Sequence, residues 1–327
     1  MNQMGHLRFL LLGLLVLSLE GCSIKRFAVN KLGNALAESG TTYSADDDPE
    51  LVEGAIPFSL KLIESLLAAS PNHRGMLFAV ASGFTQYGYA FVQQHAERLE
   101  SVDLAQATEG KARARRLYLR GRDYGLRGLE TRHKGFTQQL RANPRAAAST
   151  LTVQEVPTVY WTAAAWGAAI AVSKEIPEIV ADQLQMEALI DRALELDEQF
   201  DFGAIHGFLI SYEPSRQGVA GDPYARSRKH FDRVVALSNG QMVSPYVSLA
   251  EAVSVNTQNR AEFESLLKQA LAIDTDARPE WRLANLIMQR RARWLLSRVD
   301  ELFLDAPTQP AARPGSFGAY PALARLP

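Results

Sequence analysis

Apolar residues recur along most of this chain in steps of three and four, with charged residues between them, a pattern that predicts helices almost from end to end. After a helix over Ile24–Ala37 and a polar breaker over Ser39–Asp48, the first long helix is expected at Pro49–Ala69. Asp48 would cap it, Pro49 would sit in its first turn, and Pro57 would kink or break it. A second helix is expected over His73–Leu99, with Phe84, Tyr87 and Phe91 on one face. Gly83 and Gly88 weaken a helix on their own, so their use would be close approach of another backbone or of a ligand. Asp103–Leu129 reads as a third helix, Arg132–Ser149 as a polar connection, and Val156–Ser173 as a helix apolar on every side. Such a helix crosses a membrane or lies in a protein core; this one is short and built mostly of Ala, Gly and Thr, which points to the centre of a bundle. Further helices are expected over Pro177–Leu196, Ala204–Tyr212, Pro223–Leu237 (capped by Asp222 after a loop), Val243–Ser254, Arg260–Ile273 and Pro279–Leu304.

The joints between these helices resemble one another. Ala193-Leu194-Glu195-Leu196-Asp197, Val234-Val235-Ala236-Leu237-Ser238 and Ala270-Leu271-Ala272-Ile273-Asp274 each end an apolar stripe in a polar turn. Leu194, Val235 and Leu271 are spaced by 41 and then 36 residues. Those periods are near the length of tetratricopeptide helix pairs. The fold class expected is all-α: an irregular array of antiparallel helix pairs, as a tetratricopeptide-like solenoid or bundle.

The first residues break this pattern. Leu10–Leu19 is an apolar run too short to span a bilayer and of signal-peptide length, and it is followed by Glu20, Gly21 and Cys22. A small residue before a lone cysteine resembles a lipobox, with Glu20 as a departure from the usual residue. The expected organisation is a signal peptide over 1–21, a mature chain acylated at Cys22 with one helical domain over 22–304, and a disordered Pro- and Ala-rich tail over 305–327. Several acyl chains hold a protein firmly on a membrane. Ser23 is not the Asp of an inner-membrane retention signal, so the expected location is the periplasmic face of the outer membrane.

Composition narrows the function further. With 35 basic and 36 acidic residues there is no global charge to favour nucleic acid. The Asp103–Leu129 helix is locally basic, through Lys111, Arg113, Arg115, Arg116, Arg120, Arg122 and Arg127. That face either meets an anionic partner or is solvated, with its long stems covering apolar neighbours, and the second reading is preferred. Cys22 is the lone cysteine, which leaves none for catalysis once it is acylated. The chain has no His-Glu-x-x-His, no Gly-rich phosphate loop and no Gly-x-Ser-x-Gly, so neither a metal site, a cofactor nor an enzyme is expected. The best enzymatic pair is His206 with Glu213, seven residues on, but a core histidine is the simpler reading.

Several segments together resemble one family. They are Ala112–Tyr124, Tyr160–Gly167, Arg192–Asp197 with Gly203–His206, Gly221-Asp222-Pro223 with Ala225-Arg226 and His230-Phe231, and Arg282–Asn285. In this order they resemble the T-component (TatT) family of tripartite ATP-independent periplasmic (TRAP) transporters. The resemblance implies a periplasmic lipoprotein of tetratricopeptide-like helices that forms a homotrimer. It also implies a pocket in each subunit for an apolar or amphipathic ligand, and a P-type substrate-binding protein as partner. The aromatic residues beside glycines, Phe84, Tyr87, Tyr160, Trp161 and Trp166, together with His206, are the candidate pocket residues. A general envelope scaffold without a cavity, and a hydrolase using His206, are the other classes the sequence leaves open.

Overall fold

The computed structural model describes residues 29–33 and 40–304, and among these every regular element is a helix. The expected signal segment, Cys22 and the tail lie outside the described residues. A short turn of helix, Gly40–Ser44, precedes α1 (Pro49–Ala69). Asp48 caps α1 through the Leu51 amide at 3.0 Å, and the helix is not broken at Pro57. α2 (Arg74–Tyr87) runs into a π-turn (Gly88–Gln93) and resumes as Gln94–Leu99. α3 (Leu104–Glu130) is the longest of the described helices, with Asp103 as its cap.

The segment expected as a polar connection holds two short helices, α4 (Phe136–Ala142) and α5 (Pro144–Ser149). The correction has a simple cause. Phe136 and Leu140, one turn apart, are fully buried, and two apolar residues among polar ones are enough to seat a short helix. Asn143 then ends α4 and caps α5 by accepting from the Ala146 amide.

α6 (Val156–Ala171) is the buried central helix. Val159, Ala163, Ala165 and Ala169 are wholly inaccessible, and α6 packs on α2, α3 and α7 (Gln183–Leu196). No helix among the described residues is long and apolar enough to cross a membrane. α3 and α6 approach closely: a Cβ added at Gly125 would stand 2.1 Å from Thr162 Oγ1. The helix expected over Pro177–Leu196 is divided, with Pro177–Val180 as a separate turn before α7.

Beyond α7 the chain reverses through Asp201, Phe202 and Gly203, all in the left-handed region, and α8 (Phe200–Tyr212) continues from there. It packs on α9 (Pro223–Leu237). α10 (Ser244–Leu249) enters a second π-turn (Ala250–Ser254). α11 (Arg260–Ala272) and α12 (Arg282–Ser297) follow, and Val299–Leu302 closes the described chain. Most helices contact their sequence neighbours, and α12 also returns to α1 and to the Gly40–Ser44 turn. That return brings the two ends of the array together and encloses space between them.

Candidate ligand cavity

The enclosed space is a half-open cavity of about 540 Å³. Its walls come from segments far apart in sequence. α1 contributes Ile56, Leu60 and Ile63; α2 and its π-turn contribute Phe78, Ala79, Gly83, Tyr89 and Phe91; α12 contributes Leu283, Ile287 and Met288. Trp161 of α6 and Ser244 of α10 complete it, and Tyr43 and Ser44 lie along one side. Tyr43 is pinned there by its hydroxyl, 2.6 Å from Ser59 Oγ, while Arg282 Nη1 donates to the Ala45 carbonyl at 3.0 Å.

One side of α2 explains why there is room. Ser82 and Gly83 lie three and four residues beyond Ala79, Gln86 lies four and three beyond them, and Ala90 follows four later in the π-turn, so one helical stripe is built of small or polar residues. On another face, Phe84 and Tyr87 are buried against α3. Phe84 stacks on Tyr124 at 6.2 Å, and Tyr87 accepts from Arg113 at 3.4 Å. Gly83 of α2 and Gly88 of the π-turn both permit close approach, on different sides: an added Cβ would come within 2.7 Å of Leu60 on the cavity side at Gly83 and within 2.8 Å of the Tyr118 ring at Gly88.

Of the pocket residues expected from the sequence, Trp161 borders the cavity. Phe84 and Tyr87 lie in the α2–α3 core just described. Tyr160 sits between Trp161 and Phe200, at 5.1 and 5.5 Å between ring centroids. Trp166 lies under the Arg122 guanidinium and donates to Asp182 at 3.3 Å. His206 is buried at the α8–α9 joint. Tyr89, Phe78 and Met288 had no individual signal: they line the cavity because α12 folds back beside α2.

Behind the wall stands a buried ion cluster. Arg291, one turn beyond Met288 on α12, donates to both carboxylate oxygens of Glu251 at 2.8 and 2.6 Å and to Glu97 at 2.6 Å. Glu251 belongs to the second π-turn, and Glu97 lies just past the first. The Tyr89 hydroxyl has Met288 Sδ as its contact, at 3.9 Å, and burial pushes its pKa up to about 12. The basic face of α3 is largely neutralised at home. Arg120 binds Glu64, Arg122 binds Asp123 and Asp182, Arg115 approaches Glu175, and Lys111 pairs with Glu100.

His206 does not pair with Glu213. α8 ends at Tyr212, and the Glu213 carboxylate accepts from Arg216 and Arg226 instead. His206 Nδ1 lies 2.8 Å from Nδ1 of His230, and its Nε2 is 3.6 Å from Glu198, which also binds Arg233.

A family model described as TRAP transporter T-component matches residues 45–303. This chain belongs to that family. A protein of Treponema pallidum (strain Nichols), described as uncharacterized, is 30% identical over 306 residues, covering 87% of this chain and 94% of its own length. The span that defines the T-component takes in α1 to α12, and so nearly the whole cavity wall, stopping short of Tyr43 and Ser44.

The histidine pair gives this T-component a defined pH dependence. Burial holds both imidazoles below their ordinary value, and His230, which also faces His206, falls to about 4. Between pH 6.5 and 4 the unfolded chain takes up protons that the folded protein refuses, so stability falls as pH drops through that window and is level with respect to this pair above it. Glu198 counters the effect weakly on His206. The melting temperature is expected to decline from pH 6.5 to 4.5, and His230→Gln is expected to flatten that decline. An unchanged slope in the variant would assign the effect to other groups.

Proposed function

We propose that this T-component is the lipid-anchored accessory subunit of a TRAP-type transport system, and that its cavity holds an apolar or amphipathic small molecule passed to or from a P-type substrate-binding protein. The observation that carries the reading is the cavity itself. A scaffold needs only the outer surface of a helical array, whereas here α12 closes back on α1 and α2 around a space of ligand size, with apolar walls and a few polar groups. The membership in a transport-accessory family supports the same direction and gives no support to an enzyme. Acylation at Cys22, a position on the periplasmic face of the outer membrane, and a homotrimer complete the proposal.

Native mass spectrometry of protein extracted gently from membranes tests it. A co-purified small molecule and an acylated Cys22 are expected. Ala79→Trp, which fills the cavity from α2, should release the molecule while the protein stays folded. Pull-down of the wild-type protein should recover a solute-binding subunit. An empty cavity together with recovery of envelope-assembly proteins alone would favour the scaffold in place of the transporter subunit.

A further inference from the structure

We infer that the cavity selects an uncharged ligand, an apolar molecule bearing a neutral hydrogen-bonding group such as an alcohol, ester or amide, and discriminates against carboxylates and amines. The inference rests on the reading of the cavity as a ligand site and decides the charge of what enters it.

Among the described residues, no Lys, Arg, His, Asp or Glu borders the cavity; its ionisable side chains are the phenols of Tyr43 and Tyr89. Charged groups on the helices that build the wall are engaged with one another. Arg291 is held by Glu97 and Glu251, and Arg290 by both oxygens of Glu50. Glu64 accepts from Lys61, Arg120 and Tyr124, and Arg282 donates to the Ala45 carbonyl and pairs with Asp276. A carboxylate or ammonium moved from water into this space therefore loses hydration and gains no counter-ion.

Neutral polar groups are present and unspent. The Gln86 amide and the Ser244 hydroxyl make no side-chain hydrogen bond among the described residues, and the Tyr89 hydroxyl has only the weak acceptor Met288 Sδ. The other hydroxyls with described contacts are committed: Tyr43 and Ser59 to each other, and Ser82 to the carbonyls of Phe78 and Ala79. A ligand thus meets uncharged groups at Gln86, Tyr89, Ser244 and the Trp161 indole, a few further hydroxyls, and apolar carbon over most of the remaining wall.

Calorimetric titration of the ligand-free protein at pH 8 with 1-decanol and with decanoate separates the possibilities, because the two probes share a chain and differ in the charge of the head. Decanol is expected to bind at least about tenfold more tightly. In Ala284→Lys, which places an ammonium at an exposed position on the cavity rim, the preference should narrow or reverse in favour of decanoate. Decanoate binding to the wild type as tightly as decanol would overturn the inference and leave the ligand-cavity reading standing. Binding of neither probe would overturn both. A preference unchanged by Ala284→Lys would remove the wall as its cause.

Discussion

Arg291→Met is expected to destabilise the protein by about 3 kcal/mol, the lower end of what breaking a buried ion pair costs, because the two carboxylates it leaves are partly reached by solvent. Arg291 is 7% exposed, and it is the common partner of Glu97 and Glu251. Methionine matches the length of the stem but supplies no donor. The two carboxylates, one in the second π-turn and one just past the first, then lose the cation they share and must take up protons, draw in water or move apart. Each response disturbs α2, α10 and α12 together. Denaturant unfolding should show a lower midpoint with little change in slope. The triple variant Arg291→Met, Glu97→Gln, Glu251→Gln should recover most of the loss, since the penalty lies in the stranded charges and not in the missing pair. A single variant as stable as wild type would mean that the cluster contributes nothing to holding these three helices.

Gly125→Val should cost about 3 kcal/mol by overpacking. The new side chain meets Thr162 in the centre of α6: Oγ1 at 2.1 Å, Cβ at 3.0 Å and the backbone Cα at 3.3 Å from the added Cβ. A rotamer change could clear the hydroxyl but not the Cα, so α3 and α6 must separate along a seam that also holds Gly121 and Gly128. Gly54→Ala in α1 is the matched contrast. Nothing lies within 4 Å of its added Cβ, and the better helix former should stabilise by about 0.5–1 kcal/mol. Thermal unfolding of the two variants beside wild type checks both signs at once. A Gly125→Val protein that melts with wild type would show that the seam opens freely.

The helical array was legible because its signal is local: caps such as Asp48 and Asp222 and stripes of apolar residues need only a few neighbouring positions. The all-apolar run at α6 likewise announced a core helix. The cavity was less legible. Periodicity reports that a face is apolar, but whether it meets packed atoms or open space depends on side-chain size opposite it. Phe84 and Tyr87 were conspicuous because they are large, and being large they fill the α2–α3 contact. The small residues Ala79, Ser82 and Ala90 border the space, Gly83 among them lets Leu60 of α1 approach, and the opposite wall, Leu283 to Met288, lies some 200 residues on. Gly83 was the visible hint. His206 failed as a partner of Glu213 for a similar reason: seven residues place two groups on one face only while the helix lasts, and α8 stops at Tyr212.

The π-turn at Gly88–Gln93 also bears on how relatives of this chain are to be aligned. One residue more than an α-helical turn advances everything after it by about 100° around the axis. Upstream, α2 presents Phe84 and Tyr87 to α3; downstream, the same helix presents Glu97 to Arg291, with Tyr89 between them at the cavity. A homologue lacking that residue would show a one-position gap inside a helix, where gaps are ordinarily moved to the nearest loop. Shifting it to the Glu100–Val102 turn would pair the wrong side chains along the whole downstream stretch. Placed correctly, the gap would mark a protein in which the acidic partner of Arg291 and the cavity tyrosine no longer share one helix in working phase.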